Sequence, residues 1–89
     1  MFYTYVLYDH TKDRFYIGYS NDIQRRLREH NLGKVHTTAR FSALELIFYE
    51  YFVSKDDAER RERYFKTTKG KKALRLILRN SLKEQAFAR

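Results

Sequence analysis

Residues 14–30 read RFYIGYSNDIQRRLREH and decide the local fold. The first part alternates between the two sides of the chain and is rich in aromatic and β-branched residues, which is typical of a β-strand. The second part carries apolar residues at helical spacing after Ser20 and Asn21, both of which can cap a helix. The stretch therefore predicts a strand over Arg14–Gly18 that leads into a helix over about Asp22–Asn31.

The predicted helix presents two side chains that can bind phosphate. Arg26 and His30 are four residues apart, and residues at this spacing are neighbours on a helix surface. Ile23 and Leu27 form the apolar stripe on an adjacent face. Arg26 and His30 can therefore reach one phosphate group, although each taken alone is an ordinary solvent-facing helix residue.

An upstream strand is predicted over Phe2–Tyr8, with a polar turn over Asp9–Asp13. Antiparallel pairing of the two strands brings Tyr5 and Tyr16 onto a common surface, although tyrosines are more often plain core or sheet residues. Gly18 lies on the same surface and has no side chain, so it leaves part of that surface uncovered. A bare surface suits close approach of a substrate backbone, and a bulge or strand end is an equally good interpretation.

The rest of the chain predicts a third strand over Leu44–Phe52, with Leu46 and Phe48 on one face and Ile47, Tyr49 and Tyr51 on the other. Ser54 is placed to cap a helix over Lys55–Lys66, and Ala58 and Phe65 belong to its buried side. A last helix is predicted over Gly70–Leu82, with an apolar stripe of Ala73, Leu74, Ile77 and Leu78.

These elements predict an α/β (α+β) fold, a small three-stranded antiparallel sheet flanked by helices. We expect a single domain over residues 1–83 and a tail over residues 84–89 that frays. The 89 residues can bury one modest core, and the absence of cysteine excludes disulfides and thiol metal sites. No apolar run is long enough to span a bilayer, and the chain does not begin like a signal peptide, so we expect a cytoplasmic location with no membrane partner.

The chain is strongly basic, with a formal net charge of +8. Seven basic residues and no acidic one lie between Lys66 and Lys83. Lys72, Arg75 and Arg79 lie largely opposite the apolar stripe of the last helix, so this face can follow a nucleic-acid backbone. An anionic membrane surface and a merely solvated face are the alternatives. The polar segment Lys34–Ser42 predicts a loop beside the site, with Lys34, His36 and Arg40 as further candidates for nucleic-acid contact.

The series of Tyr5, Tyr16-Ile17-Gly18, Arg26, His30 and Glu62 resembles the GIY-YIG nuclease family. The resemblance covers nearly the whole chain and is greatest to small single-domain members related to the catalytic domain of the bacterial excision-repair nuclease subunit. The second family tripeptide is intact. The first survives as Tyr3-Thr4-Tyr5, which keeps the tyrosine alone.

The resemblance implies a metal-dependent endonuclease that hydrolyses phosphodiester bonds, with DNA as the expected partner and DNA repair as a context. It implies that Tyr5 takes a proton from the attacking water, that His30 receives the proton of Tyr5, and that Tyr16 orients the water or a phosphate oxygen. Arg26 would stabilise charge on the phosphate. Glu62 would hold Mg²⁺, with Mn²⁺ as an alternative ion, and Asn80 is a further candidate for the metal site.

Two other classes of function stay open at this point. A non-catalytic basic module would bind nucleic acid and stack bases on exposed tyrosines. A protein-interaction module would use the basic helix to bind an acidic partner. Glu62 likewise has an ordinary alternative, an ion pair with a neighbouring arginine. Neither the strandedness of the substrate nor the oligomeric state follows from the residues, and no obligate protein partner is indicated.

Overall fold

An antiparallel sheet of three strands forms the centre of the fold, in the order β2-β1-β3. The computed structural model describes residues 1–31 and 44–87, with side chains described for residues 1–30 and 44–83. In chain order the elements are β1 Phe2–Asp9, β2 Arg14–Ser20, α1 Ile23–Asn31, β3 Leu44–Phe52, α2 Lys55–Phe65, α3 Thr68–Ile77 and α4 Arg79–Phe87. The predicted fold class is confirmed.

The turn between β1 and β2 is held by Asp9. Its buried carboxylate accepts hydrogen bonds from the backbone N–H groups of Thr11 and Lys12 at 2.9 and 3.2 Å. Asp13 closes the turn with a positive φ of 52°, a conformation that aspartate tolerates better than most residues. The hairpin therefore forms where the polar stretch predicted a turn.

One face of the sheet carries the hydrophobic core. Val6 and Ile17 pair across β1 and β2 and pack with Phe65, Leu74 and Leu78 from the helices. The hydroxyl of the fully buried Thr4 donates to the carbonyl of Ala58 at 2.8 Å, which ties β1 to α2. The helices α2, α3 and α4 therefore cover this face, and α1 packs on the opposite face.

A β-bulge in β3 corrects the predicted alternation. The register shifts between Val6 and Leu7 of β1, so that Phe48 pairs with Val6 and Leu46 pairs with Leu7. Ile47 is the extra residue, and it packs against the core together with Phe48. The prediction that these two residues lie on opposite faces was wrong, because a bulge inserts one residue and resets the period-two pattern.

Helix α1 begins one residue later than expected. Asp22 is the capping residue, because its carboxylate accepts the backbone N–H of Arg25 at 3.0 Å. Ser20, a predicted cap, instead accepts the backbone N–H of Asp22 at 2.9 Å. A carboxylate is the better partner for the positive end of a helix, which explains the shift.

The predicted last helix is in fact two helices, α3 and α4, separated at Leu78. The break turns Ile77 outward, where it is 49% exposed, and only Leu74 and Leu78 of the predicted stripe are buried. Helix α4 continues to Phe87, past residue 84, where the tail was expected to fray. Leu82 packs against the core and anchors this helix.

The segment Lys34–Ser42, predicted as a loop, lies outside the described residues. Within the described parts of the chain, no helix is long and apolar enough to cross a membrane.

Candidate active site

Tyr5 stands on the sheet face opposite the core, directly across from Gly18 of β2. A Cβ atom added to Gly18 would lie 2.5 Å from the Tyr5 hydroxyl oxygen. The glycine therefore makes room for the phenol, and the bare surface that we predicted for a substrate backbone is occupied by the protein's own tyrosine. Tyr16 pairs with Leu7 on the same strand pair, so both tyrosines lie on one face as predicted.

The Tyr5 hydroxyl lies between two side chains of α1. The Arg26 Nε–H donates to the hydroxyl oxygen at 3.5 Å, and His30 Nε2 lies 3.2 Å from the same oxygen. Tyr5 and His30 are nearly inaccessible, with 2% and 3% exposure. The i,i+4 pair of α1 thus converges on one buried phenol.

Arg26 is oriented by a second bond. Its Nη1 lies 2.9 Å from the Glu29 carboxylate one helical turn away. The guanidinium offers five N–H donors, and the bonds to Tyr5 and Glu29 use two of them. About a third of its side chain is exposed, so the remaining donors can meet a phosphate from outside.

Burial keeps His30 neutral. Desolvation, followed by the nearby positive charge of Arg26, lowers the pKa of His30 from 6.5 to about 4, although Glu29 opposes the shift. A neutral imidazole has one ring nitrogen that can accept a proton. The Tyr16 ring meets the His30 ring edge-on, with centroids 4.9 Å apart, and fixes the plane of the imidazole.

Burial also raises the pKa of the Tyr5 phenol, against the lowering effect of the hydrogen bond and charge of Arg26. The charges of Tyr16 and Glu62 contribute smaller increases in the same pKa. Tyr5 is therefore a phenol at neutral pH, and Glu62 lies within electrostatic range of it. The structure thus brings four residues of the sequence series into contact, Tyr5, Tyr16, Arg26 and His30.

Comparison with known proteins agrees with this arrangement. The family model of the GIY-YIG catalytic domain matches residues 1–75. The chain belongs to the GIY-YIG family. Among curated GIY-YIG relatives, a UPF0213 protein of Clostridium perfringens is 33% identical over 98% of this chain and 94% of its own length. The UPF0213 protein YazA of Bacillus subtilis is 38% identical over 84% of this chain and 78% of its own length.

A UPF0213 protein of Streptococcus agalactiae is 42% identical over 72% of this chain and 73% of its own length. These names state a family and no activity. No solved structure gives a significant match to this GIY-YIG chain.

Glu62 is the one acidic residue of the GIY-YIG series. Its side chain is 18% exposed, and one carboxylate oxygen lies 3.2 Å from Nζ of Lys66 one turn along α2. The ordinary alternative was an ion pair with an arginine, and the observed partner is an exposed lysine. Among the residues that the structure describes, no group of three or more metal-binding side chains occurs.

The basic residues of α3 and α4 lie away from the Tyr5, Arg26 and His30 side chains. Arg75 binds the Asp13 carboxylate at 3.2 Å, and its guanidinium lies 5.0 Å from the centre of the Phe15 ring. Arg79 donates to the carbonyl of Leu76 at 2.7 Å. Lys72 is exposed. Their contact with nucleic acid stays a prediction, and Arg75 has a structural role in addition.

Asn80 is exposed at the start of α4, and within the described residues no hydrogen bond joins it to Glu62. The remaining predicted contacts, Lys34, His36 and Arg40, lie outside the described residues.

A basic groove next to Arg26 was not predicted from the sequence. An opening of about 500 Å³ at the end of the sheet is lined by Arg25, Arg26 and Lys55, with Phe2 and Tyr19 beside them. Arg25 adjoins Arg26 in the chain, and this pair of basic residues was the sequence feature that could have indicated the groove. Lys55 begins a different helix, and nothing in the sequence connects it to α1.

Proposed function

We propose that this GIY-YIG protein is a metal-dependent endonuclease that hydrolyses phosphodiester bonds in DNA. The observation that supports this best is the buried Tyr5 hydroxyl between the Arg26 guanidinium and the neutral His30 ring. Hydrolysis needs a base for the attacking water and a cation for the phosphate, and these side chains supply both.

Tyr5 acts as the general base by passing its own proton onward. A phenol with a raised pKa is a poor base unless its proton leaves as the water proton arrives. The neutral His30 Nε2, 3.2 Å away, is placed to take the Tyr5 proton. Arg26 stabilises the negative charge that this transfer places on the phenol oxygen, because its Nε–H already donates there.

Arg26 also binds the phosphate. Its planar guanidinium can donate to Tyr5 and to phosphoryl oxygens at once, a geometry that lysine cannot reproduce. Glu29 holds the group in place from the other side. Tyr16 stands beside His30 and, as the family resemblance implies, orients the water or a phosphate oxygen.

The residues present fit a divalent metal ion. Glu62 is a largely buried carboxylate whose bonded partner is an exposed, displaceable lysine. Mg²⁺ often binds through a single carboxylate, keeps several waters and completes its coordination with substrate phosphate. When bound, the ion would neutralise charge on the scissile phosphate and on the leaving oxygen. Mn²⁺ suits the same oxygen ligands.

The test replaces the metal ligand. Glu62→Ala should lower cleavage of labelled DNA in Mg²⁺ by at least about a hundredfold, because it removes the protein's charge-bearing ligand. Glu59→Ala is the matched control, since Glu59 lies on the same helix and makes two long ion pairs of 3.9 Å. The panel contains single-stranded, duplex and branched DNA and RNA, each with Mg²⁺, Mn²⁺ or a chelator.

Cleavage by Glu62→Ala at the native rate would remove Glu62 from the mechanism. DNA binding by the native protein without cleavage in either metal would instead support the non-catalytic binding module.

A further inference from the structure

A second groove lies on the α1 side of the sheet, next to the catalytic face. It has a volume of about 490 Å³ and is lined by tyrosines and aliphatic side chains from the sheet and from α1, chiefly Tyr3, Ile23, Leu27, Leu46 and Tyr49. Its lining is mainly apolar, and Asn21, Asp22 and Gln24 supply polar groups. A groove of this size and lining suits a planar aromatic ligand.

Two tyrosines, Tyr3 and Tyr49, line this groove, and Tyr51 lies beside them on β3. Tyr49 and Tyr51 on β3 are 53% and 49% exposed. Each meets the Tyr3 ring edge-on, with ring centroids 5.8 and 5.5 Å apart. About half of the Tyr49 and Tyr51 surface is therefore open to a ligand.

The groove is joined to the catalytic residues on both sides. Tyr49 is the cross-strand partner of Tyr5, so it stands on the same sheet face one strand away, about 4.8 Å in strand spacing. Asn21 lines both this groove and the basic groove of Arg25, Arg26 and Lys55. The groove lined by Tyr3 and Tyr49 therefore lies next to the basic groove that contains Arg26.

We propose that the groove binds an unpaired nucleobase beside the scissile phosphate, so that the substrate of this chain is single-stranded DNA. The inference rests on the proposed nuclease function and adds the class of substrate. A base in a duplex is covered above and below by its neighbours and has no face to offer Tyr49. Unpaired bases of any kind stack on aromatic rings, while the sugar-phosphate backbone follows the basic residues.

The test measures binding without cleavage, in chelator, for one short sequence as a single strand and as a duplex. The native protein should bind the single strand more tightly. Tyr49→Leu keeps apolar bulk but removes the ring, and should weaken single-strand binding about tenfold with duplex binding unchanged. Tyr49→Phe should bind like the native protein. Tyr64→Leu is the matched control, because Tyr64 is 39% exposed on α2 and is not among the groove residues.

A fluorescent adenine analogue in the single strand reports stacking directly, because its emission is quenched against an aromatic ring. Quenching by the native protein that disappears in Tyr49→Leu supports the proposal, even if the chain cleaves no DNA and the proposed nuclease function fails. Three results would overturn it: unchanged single-strand binding by Tyr49→Leu, an equal weakening for single strand and duplex, or self-association of the chain that Tyr49→Leu abolishes.

Discussion

The Tyr5 phenol oxygen lies at the centre of the candidate active site. The Tyr5 hydroxyl lies over Gly18, accepts from Arg26 and faces the imidazole of His30. Burial acts on both titratable partners, because it holds the phenol protonated and the imidazole neutral. Both groups are therefore uncharged at neutral pH, with the positive charge of Arg26 beside them.

The protonation state of His30 is directly testable. Because the pKa of His30 is lowered to about 4, its ring should stay neutral as the pH falls from 7 towards 4, whereas the same ring in urea should titrate near 6.5. Between these two pKa values the His30 ring is protonated in the unfolded chain and neutral in the folded protein. The contribution of His30 to stability therefore falls as the pH falls through this window. Nitrogen-15 NMR of the imidazole measures the first effect.

Urea unfolding at pH 7 and pH 5 measures the second effect. The native protein should lose more stability than His30→Gln over this interval, because glutamine keeps polar groups at the position but does not titrate. An equal loss in the two proteins would contradict a depressed pKa for His30.

At the scale of the elements, the junction between α2 and α3 determines how the helices cover the sheet. The Thr67 hydroxyl donates to the carbonyl of Tyr64 at 2.6 Å and accepts the backbone N–H of Gly70 at 3.0 Å. Gly70 is buried, and a Cβ atom added there would clash with the backbone carbonyl of Tyr64. The two helices approach so closely that only glycine fits between them.

Gly70→Ala should therefore destabilise the fold by about 1–3 kcal/mol, the range typical of overpacking. Replacement of glycine by alanine at an exposed helix position would instead stabilise the fold by about 0.5–1 kcal/mol. Urea unfolding gives the value, with Lys69→Ala at the exposed neighbouring position as the control, expected to stay within about 0.5 kcal/mol of native. A Gly70→Ala protein as stable as the native one would mean that α2 and α3 lie further apart than described.

At the scale of the whole molecule, the two sheet faces have different tasks. The face of Val6 and Ile17 packs with α2, α3 and α4 and supplies stability. The face of Tyr5 and Tyr49 packs with α1 and carries the candidate active site and the apolar groove. The net charge of +8 attracts a polyanion to the molecule, and its distribution decides where the polyanion binds.

Two pairs of substitutions with the same change in net charge separate the candidate binding surfaces. Arg25→Gln with Lys55→Gln should weaken DNA binding and lower the slope of log affinity against log salt by about two units, roughly one for each phosphate that the protein no longer neutralises. Lys72→Gln with Arg79→Gln tests the last helices in the same way. Affinity across a salt series in a Glu62→Ala background provides the measurement.

A slope unchanged by the Arg25 and Lys55 pair would show that the basic groove does not follow the backbone. A slope unchanged by the Lys72 and Arg79 pair would show that the basic face of the last helices is merely solvated.

The sequence by itself determined the three strands, the position of α2 and the shared faces of the Arg26–His30 and Tyr5–Tyr16 pairs. Each depends on local rules, because alternation predicts strands, four-residue spacing puts Arg26 and His30 on one face, and strand pairing puts Tyr5 beside Tyr16. The series from Tyr5 to Glu62 also carried the family resemblance, which the family match over residues 1–75 confirmed.

Only the tertiary structure decided which atoms meet. The bulge at Ile47 and the break at Leu78 satisfy packing against distant residues, so local periodicity could not predict them. The use of Gly18 as space for Tyr5 depends on register, and the neutrality of His30 depends on burial. Lys55 joins Arg25 and Arg26 in one groove because α1 and α2 approach the same end of the sheet, a relation between elements far apart in the chain.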